Sequence, residues 1–287
     1  MRAALIALVA ALAALAASTG GTASPLVQAS PSAACKTLHA GKLTIGTDNP
    51  AYPPWYEGKP PPGSPWKVAD PRSGEGYESA VAYAVASQLG FSSNAVDWVY
   101  VPFDKSFAPG AKSFDFDINQ ISYSAARAKV VTFSNSYYDV NQSVVVLDGT
   151  PIAKVKTIAG LRSFKLGAQV GTTSYAYIED HIKPTKQPAV YPQNAGAIEA
   201  LKNKQIDGLV VDLPTAFYVT SAQVSHSKVL GYFPAPAGGE HFGMVFAKGN
   251  PLVGCVNSAL ATLKANGTLK LLQQVWLSKA AGAPELK

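Results

Sequence analysis

Apolar and polar positions along this chain switch repeatedly between alternation and helical recurrence, and each switch predicts an element. Lys42–Thr47 (KLTIGT) reads as a first strand and Trp98–Val101 alternates as another, whereas Val81, Ala84, Val85 and Leu89 recur at helical spacing over Ser79–Leu89 until Gly90 stops them. Phe114–Ile118, Ser143–Leu147, Leu166–Val170 and Gly208–Asp212 are short apolar runs bounded by turn residues and read as further strands. Thr157–Leu161 predicts a short helix and Asn194–Asn203 an amphipathic one. Val253, Val256, Leu260 and Leu263, then Leu269, Leu272 and Trp276, predict two packing helices split by Gly267. Pro109-Gly110 interrupts the helix expected after Trp98–Val101, and Pro60–Gly74 reads as an exposed loop. No internal repeat is visible.

Between these elements lie three stretches that carry chemistry. The richest is Ile118–Val140, INQISYSAARAKVVTFSNSYYDV, in which small polar residues lead into one arginine, an apolar run and a Tyr-Tyr pair. Ser122, Tyr123 and Ser124 follow a strand-like end, so backbone N–H groups and hydroxyls lie beside Arg127, whose planar fork matches a carboxylate. Taken alone this is either a carboxylate socket or one more solvated arginine. In the second stretch an apolar strand ends in Gly171-Thr172-Thr173 before a helix, which is either a second anion cradle or a plain threonine cap. In the third, Asp212 ends a strand just before Leu213-Pro214, as an N-cap or as a carboxylate for a cation. The Asp48–Trp55 loop, stiffened by Pro50, Pro53 and Pro54, follows the first strand at the end where open α/β sheets bind ligands. Asp48, Tyr52 and Trp55 therefore line a cleft, or else form a Pro-rich turn that caps a core.

The order Ser122, Ser124, Arg127, Ala128, Lys129, Val130, Phe133, Ser134, Tyr137, Tyr138 resembles the signature of the polar amino acid solute-binding proteins of ABC importers, and the likeness runs from about Gly41 to Leu277. It implies an α/β fold of the two-lobed periplasmic-binding-protein type II architecture with two crossovers between lobes. Lobe 1 would be discontinuous, 35–139 and 243–287, and lobe 2 would be 140–242, with hinges at Tyr137–Asn141 and Gly238–Phe242. The resemblance implies that Arg127, with Ser122 beside it, grips a ligand α-carboxylate, clamped from the other lobe by Thr172 and Thr173, while Asp212 holds the α-ammonium. Asp48 would lie at the site, Tyr52, Trp55 and Phe103 would cover the ligand, and Gln120 and Gln169 would read the polarity of its side chain. Some positions depart from the common pattern: Ala126 and Thr132 stand where acidic residues are usual, Asn119 and Gln120 where small ones are frequent, and Glu78 matches the usual aspartate only approximately. The function implied is capture of an amino acid by hinge closure and its delivery to an ABC permease, by a monomer without a cofactor.

Composition narrows the alternatives. At 287 residues and 47% apolar the chain suffices for two medium lobes. Its net charge of +6 arises from 24 basic and 18 acidic residues interspersed without a Lys/Arg run, the pattern of solvated charge rather than of nucleic-acid binding. The four histidines share no metal-ligand spacing. Met1–Ala17 reads as an export signal and 18–34 as disordered or removed, which places the protein in the periplasm or at the extracellular surface. Cys35 has two readings, a lipidated residue tethering the protein to a membrane or half of a disulfide. The resemblance favours the disulfide with Cys255, since the family's C-terminal helices return to lobe 1 near the mature N-terminus. The rival function is a dehydratase-like enzyme on the same fold with Asp48 or Glu78 as acid–base group, although no histidine, Ser-His-Asp pattern or phosphate loop supports it. A ligand-sensing ectodomain is the third reading.

Overall fold

The computed structural model describes residues 35–235, 239–277 and 282–287. The export segment and Gly238 of the expected return hinge lie outside them.

β1 (Leu43–Thr47) is buried at every position because β2 (Val96–Tyr100) and β3 (Phe116–Asp117) pair with it in parallel on either side. β12 (Val245–Ala247) and β4 (Val131–Phe133) complete a five-stranded sheet in the order β2-β1-β3-β12-β4, so the chain leaves this lobe after β4 and re-enters it at β12. The second sheet has the order β10-β6-β9-β7-β8, built from β6 (Gln142–Leu147), β7 (Leu166–Gln169), β8 (Ala189–Tyr191), β9 (Gly208–Asp212) and β10 (Ser227–Tyr232), with α5 (Asn194–Lys202) packed on it. Joining the two is a two-stranded antiparallel ribbon of β5 (Tyr138–Val140) and β11 (Glu240–Phe242), which supplies the two crossovers. This is the two-lobed type II architecture.

The first lobe is closed by three helices. α1 (Tyr77–Gln88) buries Tyr77, Val81, Ala82, Val85 and Ala86 in the core that also takes Val256, Leu260 and Leu263 of α7 (Leu252–Ala265) and Leu269, Leu272 and Trp276 of α8 (Thr268–Leu277). α1 starts two residues before the expected Ser79, because the Tyr77 and Glu78 N–H groups donate to the Pro54 and Trp55 carbonyls at 2.9 Å each. Gly76 allows that approach: a Cβ there would lie 2.5 Å from Tyr56 Cα. Cys35 and Cys255 form a disulfide, with Cα atoms 5.8 Å apart, which fastens the first described residue to α7 and leaves Cys35 no thiol for a lipid.

Three expectations need correction. Pro60–Gly74 is pinned rather than merely exposed: Ala69 N–H donates to Ala51 O at 3.2 Å, Asp70 N–H donates to Gly58 O at 3.0 Å, and Trp66 and Ala69 are buried. The short helix expected at Thr157–Leu161 is a 3₁₀ turn over Ala159–Ser163. The last six residues do not stay with lobe 1. Tyr232 N–H donates to Pro284 O and Leu286 N–H to Tyr232 O, both at 2.9 Å, and Ile158 N–H donates to Lys287 O at 2.8 Å. The tail thereby lies along β10, and Leu286 is buried in the core of lobe 2 because the exposed edge of that sheet offers it both hydrogen bonds and an apolar seat.

Candidate functional site

The ends of the strands and the hinge ribbon enclose a cavity of ≈ 120 Å³ between the lobes. From lobe 1, the Asp48–Trp55 loop contributes Asp48, Tyr52 and Trp55. The Asp48 carboxylate accepts from the Asn49 N–H at 2.7 Å, and burial raises its pKa above the ordinary range despite that bond and one from the Phe103 N–H. Phe103 opens the one-turn helix α2 (Phe103–Ser106) and packs edge-on against Phe107 at 5.3 Å between centroids. Arg127 lies on α3 (Ala125–Ala128), a single turn capped by Ser124, whose hydroxyl accepts from the Arg127 N–H at 3.2 Å. Its guanidinium sits 4.2 Å over the Phe107 ring, and it donates to Ser122 O at 2.6 Å and across the cleft to Gly171 O at 2.7 Å. Burial lowers its pKa to about 10, still leaving it charged at neutral pH.

Lobe 2 answers with three polar positions at strand ends. Thr172 caps α4 (Thr173–Tyr177): its hydroxyl accepts from Tyr175 N–H at 3.1 Å and donates to Gln169 O at 2.7 Å, so that hydroxyl is committed to the turn. Thr173 points its hydroxyl towards Ser122, 3.1 Å away in the other lobe. Asp212 caps α6 (Leu213–Tyr218) by accepting from Thr215 N–H at 2.9 Å, and burial pushes its carboxyl up to about 6. A further link joins the lobes, with Trp55 Nε1 donating to Thr215 Oγ1 at 2.9 Å.

Two half-sites, one from each lobe of a two-stranded hinge, that line one small cavity and bond to each other across it describe a protein that holds a small solute between its lobes. The model of the bacterial extracellular solute-binding proteins, family 3, matches residues 43–279. The chain belongs to that family. Among similar proteins, ABC transporter arginine-binding protein 1 of Escherichia coli (strain K12) is 28% identical over 214 residues, covering 70% of this chain and 81% of the relative. The L-cystine-binding protein TcyJ of the same strain is 25% identical over 244 residues, covering 84% of each. Among solved structures, the ancestral amino acid-binding protein AncCDT-1, a precursor of cyclohexadienyl dehydratase, superposes with a TM-score of 0.66 at 26% identity, over 82% of this chain and 95% of that one. The family is extracellular, and among the described residues no helix is long and apolar enough to cross a membrane.

This solute-binding protein brings all the expected site positions, Asp48, Tyr52, Trp55, Phe103, Gln120, Ser122, Arg127, Gln169, Thr172, Thr173 and Asp212, to the wall of the one cavity. Their side chains are not equally available. Trp55 is 1% exposed and stands edge-on to Tyr77, Tyr138 and Phe242 at centroid distances of 5.5–6.0 Å, so most of its ring is hinge core. Gln120 adopts a left-handed φ of 48°, and both its N–H, at 2.7 Å, and its side-chain amide donate to Glu78. Glu78 is fully buried, also accepts from Tyr137 Oη, and is pushed up to about 7 by desolvation. Sequence reasoning missed Gln142 and Glu240. Gln142 opens β6, accepts from Ser174 Oγ at 2.6 Å and donates to Glu240 Oε1 at 3.0 Å. The only advance signal was the place of Gln142 next to one hinge segment and of Glu240 within the other.

Proposed function

We propose that this protein captures an amino acid with a cationic side chain between its lobes and hands it, unchanged, to an ABC permease outside the cytoplasm. Arg127 would take the α-carboxylate, with Ser122 and the Thr172-Thr173 turn forming its surroundings, and Asp212 the α-ammonium. Tyr52 and Phe103 would flank the ligand, and Gln169 would offer a polar contact. The observation that carries the cationic side chain is Asp48. It lies near Tyr52, and among the described residues no basic side chain pairs with it. A half-buried carboxylate without a counter-charge is costly, and a ligand ammonium or guanidinium removes that cost. The arginine-binding relative supports the same choice, while the L-cystine-binding one shows that the family's ligands vary.

Binding rather than catalysis is supported by the fate of Glu78, one of the two acid–base candidates. Glu78 has a pKa near neutrality but is sealed from the cavity by Gln120 and Tyr137, and a group that cannot reach a substrate cannot transfer its proton. Titration calorimetry with L-arginine, L-lysine, L-glutamine and the N-acetyl and methyl-ester forms of the best binder tests the reading. Blocking either end of the zwitterion should cost ~2–5 kcal/mol, and Arg127→Ala and Asp212→Ala should each do the same. Equal binding of blocked and free forms refutes the clamp, and multiple turnovers of a prephenate-like acid refute the exclusion of catalysis.

A further inference from the structure

The hydroxyls of Ser122 and Thr173 meet across the cleft, one from each lobe, and both are spoken for. Glu240, the first residue of β11, places Oε1 2.6 Å from Ser122 Oγ, 2.6 Å from Thr173 Oγ1 and 3.0 Å from Gln142 Nε2. A hydroxyl carries one proton and two acceptor sites. A carboxylate oxygen can only accept, so each of these hydroxyls spends its single proton on Glu240 and is left with lone pairs for anything else it meets. Gln142 is held in the same sense, its amide oxygen accepting from Ser174 Oγ at 2.6 Å while its nitrogen serves Glu240. The Glu240 carboxylate acts electrostatically on both Arg127 and Asp212.

We propose that Glu240 is a positioning residue that sets the polarity of the Ser122–Thr173 pair, turning both hydroxyls from donors into acceptors and so weighting the site towards the ligand's positive charge and against its carboxylate. The inference rests on the amino-acid reading of the cavity and deepens it. In a site whose hydroxyls are free to turn, a ligand carboxylate gains two neutral donors besides Arg127. With Glu240 in place it has Arg127 and must compete with a second carboxylate for the rest. The same hydroxyls, as acceptors in the cavity that Asp212 also lines, suit an ammonium. The sequence hides this arrangement, because Ser122, Thr173 and Glu240 are far apart in the chain and come together only at the hinge.

The test compares L-arginine with agmatine, which is the same cation without the carboxylate, on the wild type, Glu240→Gln and Glu240→Ala by titration calorimetry. Glu240→Ala frees both hydroxyl protons, so arginine should bind at least about tenfold tighter, a gain of ~1.4 kcal/mol. Agmatine should bind no tighter, so the preference for arginine over agmatine rises by at least that factor. Glu240→Gln keeps the shape of the side chain and should move the preference in the same direction by less, which preserves the test if the alanine variant folds poorly. Were Glu240 merely a hinge strut, both ligands would change by one common factor, and that result overturns the proposal, as does weaker arginine binding with unchanged agmatine. If neither ligand binds the wild type or either variant, the reading of the cavity as a site for a guanidinium-bearing amino acid fails and this inference falls with it. That outcome is distinct from one in which binding is present but the preference is unmoved.

Discussion

Lowering the pH should loosen ligand binding through Asp212, and the size of the effect follows from its surroundings. Burial raises the Asp212 pKa to about 6, against the pull of the Thr215 N–H. A bound ammonium favours the ionised form and lowers that pKa, so affinity is complete above it and is lost as pH falls below it. If the bound-state pKa lies well below 4, the loss relative to pH 7.5 should be about tenfold at pH 5 and about thirtyfold at pH 4.5, or ~1.4 and ~2 kcal/mol. Glu78, pushed up to about 7, bonds to Gln120 at the cavity wall, and Asp48 is also raised, so the wild-type profile alone does not isolate Asp212. Asp212→Asn does: it keeps an oxygen to cap α6 but carries no charge. It should bind weakly at every pH and lose the tenfold step between pH 7.5 and pH 5. Calorimetry of both proteins across that range is the assay. A wild type whose affinity is flat down to pH 4.5, or an Asp212→Asn variant that retains the full step, would refute the placement of the ammonium at Asp212.

Further outcomes follow from the scaffold. Replacing Cys35 and Cys255 with serine should lower stability by ~2–4 kcal/mol, seen as a melting temperature reduced by several degrees, and an unchanged melting curve would contradict a stabilising bridge. Trp55→Phe removes the Nε1 bond to Thr215 Oγ1 while keeping an aromatic in the hinge core, so ligand affinity should fall about two- to tenfold. Thr215→Val should match it, and a double variant no worse than either single one would show that the two act as one link. Leu286→Ala should cost up to ~1.5–3 kcal/mol in denaturant unfolding because that side chain is buried against lobe 2, and no change would mean that the tail's docking adds nothing. Between pH 4.5 and 7 Glu78 should erode stability. Its folded-state pKa is raised by burial, so the unfolded chain gives up its proton first and favours unfolding as pH rises, a slope that Glu78→Gln should flatten in urea titrations.

Much of the site was legible one residue at a time. Arg127 after Ser122 and Ser124, the Gly171-Thr172-Thr173 turn, Asp212 before Leu213-Pro214 and the Asp48–Trp55 loop are local arrangements at strand ends, and strand ends converge in an α/β lobe whatever the rest of the chain does. The bland readings of Thr172 and Asp212 as caps hold, and a side chain at an N-cap position can keep the turn and still border the cavity.

What needed the tertiary structure was non-local. Trp55 looked like a ligand cover, and only the packing of Tyr77, Tyr138 and Phe242 around it makes it mainly a hinge residue. Glu78, on a helix that sequence treated as scaffold, holds Gln120 in its left-handed turn from 42 positions away, and nothing in the neighbourhood of either residue signals the other. Gln142 and Glu240 acquire their roles where the two hinge segments meet Ser122 and Thr173. Leu286 becomes core only because β10 presents an open edge. Period and turn chemistry are written in neighbouring residues, so the sequence alone determined most of the elements and the residues at their ends. Which of those side chains keep free donors is decided by partners tens to hundreds of positions away, and that is settled only when the lobes fold and meet.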